Sequence, residues 1–464
     1  MLLFLLAIPL YARGCAGLAS SFAGSPTSAV FPPPNATITE NETFFPGASQ
    51  VGFAGPTQTG DEANVIATAP ALAKVDNIWP LAKPKSKGAK LKSSERDFDV
   101  TQHFGSLSPF NSVDSFGLPD ASPQVPETCR LKQVHLLHRH GARYPTSGSG
   151  PAAFAAKVHA AATTGDGFQA TNELKFLNTW TYKLGAETLT PFGRSQLFNL
   201  GVGFRVRYGE LLKGFSDLPV FRTTSEARMV DSALNFAAGF FGLQSYQTDY
   251  HQLITIEEEG FNNTLVPQLI CQNSGNAIGA FGSQQALIWA NKSLATTTRR
   301  IQKLIKSSNS TTPLKLEVTD MIAISQLCAY ETVALGFSEF CGLFTEEEWK
   351  AIAYLNDLLF WYSFGPGNPT AAAIGIGYVQ ELVSRLTQTP ITECSTSLNC
   401  TLVQNNITFP VDQPIFVDAT HDTVISTVIT AMNFTSLASN GPLPTDHIPK
   451  NQVRKNTPSC SRIM

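Results

Sequence analysis

The chain has 464 residues, 43% hydrophobic and 15% charged, with a formal net charge of −3. Such values belong to a globular protein with a large core, arranged as one big or two medium domains. The slight acidity gives no reason to expect nucleic acid as a partner, and any basic surface must be local.

The N-terminus opens on an apolar run from Leu2 to Ala12, followed by small residues around Ala16 and Ala19. That run has the length of a signal-peptide core and is too short to span a bilayer. Residues 1–19 are therefore read as a secretory signal peptide or a clipped membrane anchor. The first implies secretion; the second implies a type II membrane protein with an extracellular catalytic domain. Residues 20–97 are rich in Ala, Pro, Ser, Thr and Gly and end in the lysine run "KPKSKGAKLKSSER". No period persists there, so this is a flexible linker. N-glycosylation sequons stand at Asn35, Asn41, Asn262, Asn291, Asn309, Asn399, Asn406 and Asn433. Together with the N-terminus they suit a secreted glycoprotein.

From Phe98 the pattern changes. "CRLKQVHLLHRHG" predicts a short buried strand over Gln133 to Leu137, stopped by Gly141. "LTPFGRSQLFNLGVGFRVRYGELL" predicts a helix starting near Thr190, with Pro191 in its first turn. "LPVFRTTSEARMVDSALNFAAGFFG" predicts strand, turn and helix. Helical spacing follows in "ATTTRRIQKLIKSS", "MIAISQLCAYETVALG" and "IGIGYVQELVSRLTQ". "FTEEEWKAIAYLNDLLFWYS" opens on a capping box, Thr345 with Glu348. "QPIFVDATHDTVISTVITAMNF" is a buried strand, a polar turn and a helix. The fold class is α/β, with a mostly parallel central sheet flanked by helices. The run of helices in the middle predicts a smaller α-helical subdomain, an insertion over roughly 145–345.

Three strand-to-helix turns carry unusual polar groups. The first holds Arg139, His140 and Arg143; the second holds Arg228; the third holds His421 and Asp422. In open α/β sheets ligands sit at the carboxyl ends of strands, so residues distant in sequence can meet in one crevice. Three arginines there suit a phosphate, whose oxygens match the guanidinium fork. Arg143 would cradle the same group from the first turn of a helix, whose dipole adds to the attraction. No GxxxxGK[ST] loop is present. His140 can attack phosphorus itself, and Asp422 can protonate the leaving alkoxide. His138 and His140 form an H-x-H pair, but no further ligand set at motif spacing supports a metal. His135 and His138 are expected to be scaffold.

"RHGARYPTSG", with "HD" at 421–422 after an apolar strand, resembles the histidine acid phosphatase family of the phosphoglycerate-mutase-like fold group, and its fungal phytase branch most of all. "LTPFGRSQL", "ARMVDSALNFAAGF", "LCAYETVALGFSEFCGLFTEEEW" and "GIGYVQELVSRL" extend the resemblance over residues 98–450. It implies that His140 is the phosphorylated nucleophile and that Arg139, Arg143, Arg228 and His421 bind the phosphate. It implies that Asp422 donates the proton, that no metal or other cofactor takes part, and that a large α/β domain faces a smaller helical one. The expected activity is hydrolysis of phosphate monoesters at acid pH, first of all phytate, whose six phosphates call for a locally basic pocket. A broad-specificity acid phosphatase is the alternative, and an inactive phosphate-binding glycoprotein is a third reading. The expected partner is a small phosphate ester, with no nucleic acid, a membrane only through an N-terminal anchor, and the chain a monomer.

Cys328 and Cys341 match a disulfide of the family, and Cys394 with Cys400 are close enough to pair too. Residues 451–464 read as a tail outside the resemblance, with the family's C-terminal strands missing. Cys129 and Cys271 are the cysteines expected to bond to that region, and Cys460 is a doubtful substitute. The expectation is a truncated form that keeps its catalytic residues and leaves an open sheet edge.

Overall fold

A computed structural model describes residues 98–110, 125–275, 277–307, 313–394, 396–434 and 441–449. Residues 1–19, the linker over 20–97, the tail over 451–464, Asn35, Asn41, Asn309 and Cys460 lie outside the described residues.

The first half of the chain gives β1 (Val134–Arg139), α1 (Gly150–Thr163), β2 (Phe168–Ala170), α2 (Pro191–Tyr208), β3 (Val220–Thr224), α3 (Ala227–Phe241) and β4 (His251–Thr255). The second half gives α4 (Ala277–Ser293), α5 (Ala295–Gln302), β5 (Ile305–Ser307), α6 (Val318–Leu335), α7 (Glu346–Phe364), α8 (Ala371–Thr387), α9 (Cys400–Val403), β6 (Ile415–Thr420) and α10 (Asp422–Ala431). The main sheet has the order β1-β6-β3-β4, and all its pairings are parallel. β2 and β5 form a separate antiparallel pair.

β6 is buried at all six positions, as expected of a central parallel strand covered on both faces. Its alternation assigns the two faces. Ile415 and Val417 join Leu197 and Phe204 of α2 and Phe236 and Phe240 of α3 in one core. Asp418, next after Val417, reaches Tyr378 and Arg385 of α8 on the other face. There Tyr378 packs with Val424 and Val428 of α10, against Leu137 of β1. The sheet is thus enclosed between α2/α3 and α8/α10.

A second core joins α1, α4, α6 and α7, with Phe154, Trp289, Ile324, Leu327, Trp349 and Tyr354 at its centre. Its helices are well capped. Thr345 accepts from the Glu348 backbone while the Glu348 side chain accepts from the Thr345 backbone, and Glu346, Glu347 and Glu348 face the positive end of the dipole. The helical part is not one insertion over roughly 145–345. The stretch from α2 to β4 inside that span belongs to the sheet body, because the apolar faces of α2 and α3 pair with β3 and β6. The helical half is built from α1 on one side of that stretch and α4 to α7 on the other.

Both expected disulfides are present. Cys328–Cys341 ties the C-terminal part of α6 to the following turn, and Cys394–Cys400 closes the loop into α9. Among the described residues Cys129 and Cys271 are free thiols. No described helix is long and apolar enough to cross a membrane.

Candidate active site

The three polar turns do converge. The end of β1 is level with the end of β6, with Arg139 opposite Thr420. The end of β3 is level with that of β4, with Thr224 opposite Thr255. All four strands therefore deliver their next residues to one crevice, as the crevice rule for parallel sheets requires. A cleft of about 500 Å³ there is lined by Arg139, His140, Arg143, Arg228, His421 and Asp422. An apolar wall from α7, including Trp349, Leu355 and Phe360, closes its other side.

His140 is buried. Its Nδ1 lies 2.8 Å from the Gly141 carbonyl oxygen. A carbonyl only accepts, so Nδ1 carries the proton and donates, and the lone pair is left on Nε2. Burial, then the Arg139 and Arg143 charges, hold the imidazole well below its ordinary pKa, so it stays neutral in mild acid. The His421 ring stands 5.8 Å away at 70°.

The loop carrying His140 is clamped to the start of α2. The Ala142 oxygen accepts from the Thr190 backbone at 2.9 Å and from its hydroxyl at 3.0 Å. The Ala142 N–H donates to Gln196 at 2.9 Å, and the Gly141 N–H donates to Ser232 Oγ at 3.2 Å. The backbones approach so closely that a Cβ on Gly193 would overlap the Ala142 carbonyl oxygen. This contact explains glycine at 193. Thr190 Oγ1 also caps α2 by accepting from Gly193 at 3.0 Å.

Arg139 is buried, and its Nη1 lies 3.2 Å from Asp422 Oδ2 and also donates to the Ser106 carbonyl. Asp422 opens α10, and its Oδ1 accepts from the Thr423 backbone at 2.9 Å. Arg228 lies in the first turn of α3 and pairs with Glu187 at 2.9 Å and Glu226 at 2.5 Å. Arg143 lines the cleft but is on no helix. It forms an isolated bridge with Leu189 and donates from Nη1 to the Tyr144 carbonyl at 2.8 Å. Pro145 and Gly148 follow, the latter at φ 70°, and the next helix starts only at Gly150. The helix N-termini at the cleft are those of α3 and α10 instead.

His135 and His138 point away from the chemistry. His135 stacks on Phe416 at 4.6 Å, and His138 stacks on Phe236 at 5.3 Å while its Nδ1 donates to the Arg139 carbonyl. Burial lowers the pKa of each to about 4. The H-x-H pair does not converge as a ligand set.

Three acids in the site are absent from the sequence reading. Glu257, just beyond β4, has Oε1 2.9 Å from His421 Nε2, and Glu226 Oε2 lies 3.7 Å from the same atom. Glu187 holds Arg228. With Asp422 they offset much of the arginine charge, and among the described residues no lysine lines the cleft.

Residues 130–463 match the histidine phosphatase superfamily (branch 2). The match starts after Phe98 and runs past Lys450, so most of the segment read as a tail lies inside it. Phytase A of Aspergillus fumigatus is 33% identical over 369 residues, 76% of this chain and 76% of that protein. Phytase A of Neurospora crassa is 31% identical over 366 residues, 72% of this chain and 69% of that protein. The crystal structure of the phytase from D. castellii superposes with a TM-score of 0.62 at 25% identity, covering 82% of this chain and 78% of that one. A parallel sheet with this crevice, matched over most of the chain, makes the protein a phosphoric monoester hydrolase of phytase-like fold that belongs to the histidine phosphatase superfamily, branch 2.

Proposed function

We propose that the chain hydrolyses phytate and other phosphate monoesters through a phosphohistidine on His140. The observation that carries this reading is the His140 Nδ1 bond to the Gly141 carbonyl. It fixes the tautomer whose Nε2 is a free nucleophile inside a cleft of three arginines.

In the first step Nε2 attacks phosphorus and the P–O bond to the alcohol breaks. Arg139, Arg143, Arg228 and His421 hold the phosphoryl oxygens, and the phosphate takes the place of Asp422, Glu187 and Glu226 as partner of the arginines. Asp422 gives its proton to the leaving alkoxide, and the alcohol departs. In the second step water attacks phosphorus, Asp422 takes a proton back, the N–P bond breaks, and inorganic phosphate leaves. The chain is read as a monomer secreted as a glycoprotein, with Asn262, Asn291, Asn399, Asn406 and Asn433 as the acceptors among the described residues.

The test is release of phosphate from phytate by the purified chain at acid pH, with p-nitrophenyl phosphate in parallel. Turnover of both fits the proposal. Turnover of p-nitrophenyl phosphate alone favours the broad acid phosphatase. Binding without turnover of either favours the inactive glycoprotein.

A further inference from the structure

Two acids beside His421, Glu226 and Glu257, transfer no proton in the hydrolytic steps and form a donor set with it. His421 Nε2, a Glu257 oxygen and a Glu226 oxygen all lie within 4.8 Å of one another. Ligands of a tetrahedral zinc ion sit about 2.0–2.2 Å from the metal, which spaces neighbouring donors roughly 3.4 Å apart. The observed 2.9 Å and 3.7 Å separations from His421 Nε2 bracket that spacing. A second observation is independent of this spacing. The Glu257 side chain is only 9% exposed, lines the cleft, and leaves its Oε2 without a partner. A buried carboxylate oxygen with nothing to accept is costly unless a cation or proton satisfies it. One imidazole facing two carboxylates cannot do so for both.

We infer that Glu226, Glu257 and His421 form a binding site for a divalent cation of the zinc class within the phosphate cleft, and that the bound cation opposes phosphate binding. One nitrogen and two carboxylate oxygens suit zinc, and three protein ligands leave one coordination position open. The opposition follows from shared atoms. The cation competes with Arg228 Nη2 for Glu226 Oε2, now 2.5 Å apart. It also occupies His421, which the proposed chemistry assigns to the phosphate. Its inhibitory consequence therefore rests on that reading, while the site itself does not.

The test uses the full chain, stripped of metal, dialysed against zinc chloride at about pH 7 with bound metal counted. One zinc per chain is expected. Glu226→Gln, Glu257→Gln and His421→Ala should each weaken binding about tenfold or more, with melting temperatures confirming that the variants fold. In kinetics zinc should raise KM for p-nitrophenyl phosphate and leave kcat unchanged; this ester is used because phytate itself chelates zinc. No bound zinc, or binding that all three variants keep, overturns the site. Inhibition that lowers kcat alone overturns the competition. Dialysis reads no turnover, so a chain that binds zinc but hydrolyses nothing supports the site and counts against the hydrolytic reading alone.

Discussion

The Nδ1 of His140 donates to the carbonyl of its neighbour Gly141 across 2.8 Å, so its own backbone presets the tautomer of the proposed nucleophile. His140→Ala should lower kcat by several orders of magnitude, since it removes the covalent route and leaves only binding and orientation. Denatured enzyme trapped in turnover should carry acid-labile phosphate on His140. Metal-free buffers and chelators should not reduce activity. Activity lost to a chelator and restored by zinc would replace this mechanism with a metal-dependent one.

Asp422 stands at the first position of α10 with one oxygen turned to Arg139. Its proposed task is to protonate the leaving oxygen, so Asp422→Asn should act on substrates unequally. Alkyl phosphates, whose alkoxide needs the proton, should lose about 10²–10⁴-fold in kcat/KM. p-Nitrophenyl phosphate, whose leaving group departs as a stable anion, should lose far less. Equal losses on both would leave Asp422 a mere partner of Arg139.

The cleft was legible where short motifs follow apolar strands. Arg139 and His140 sit at the end of β1, and His421 and Asp422 directly follow β6; the crevice rule alone brings them together. Arg143 was legible as a member but not in its conformation, since Pro145 and Gly148 divert the chain before a helix can start. Glu226 and Glu257 were hidden because an acid in a polar turn reads as a solvated group. What places them is the pairing of β4 with β3, a contact between strands separated by a whole helix. The bounds of the helical half are hidden for a related reason. Helical period finds α2 and α3, but only their packing on β3 and β6 shows which core they serve.

Gly193 carries the contact between α2 and the loop of the proposed nucleophile. Gly193→Ala should displace the Ala142 carbonyl, break its bonds to Thr190, and shift His140. Overpacking of this kind costs about 1–3 kcal/mol. Because the moved segment is the loop itself, kcat should fall further than stability does. Urea melts beside single-turnover rates separate the two, and a variant with reduced stability but normal turnover would show that the clamp is only structural.

His138 is buried with Nε2 unpartnered, and its pKa is lowered to about 4. In the unfolded chain it titrates near 6.5, so below that pH the unfolded state binds a proton that the folded state refuses. Stability that is complete above about pH 6.5 is therefore lost as pH falls towards 4, by roughly 3 kcal/mol from this group. His138→Phe keeps a ring against Phe236 and removes the titration. It should flatten the fall in melting temperature between pH 7 and pH 4.5. The same acid slope in variant and wild type would mean that other groups carry it.

Beneath the cleft, Asp418 binds two arginines at once. Its Oδ1 is 2.6 Å from Arg222 Nε, and its Oδ2 is 2.5 Å from Arg385 Nη1 and 2.8 Å from the Tyr378 hydroxyl. Arg222 also reaches Glu381 at 2.8 Å, so two guanidiniums and two carboxylates close a fully buried network. Burial alone would push the Asp418 carboxyl up, but the two arginines hold it well below the usual carboxylate range. The carboxylate thus survives acid, and its contribution to stability persists at any pH where the proposed enzyme works. Asp418→Ala leaves one carboxylate for two buried guanidiniums and should cost about 3–5 kcal/mol. Adding Arg385→Met removes the surplus charge and should recover part of that loss, so the double variant should be more stable than the sum of the single effects predicts. Asp418 lies on β6 three residues before His421, which directly follows the strand, so Asp418→Ala should also raise KM at temperatures where the variant is still folded. Strict additivity in urea melts would show that Asp418 and Arg385 act independently and that the network is not the unit holding the end of β6 in place.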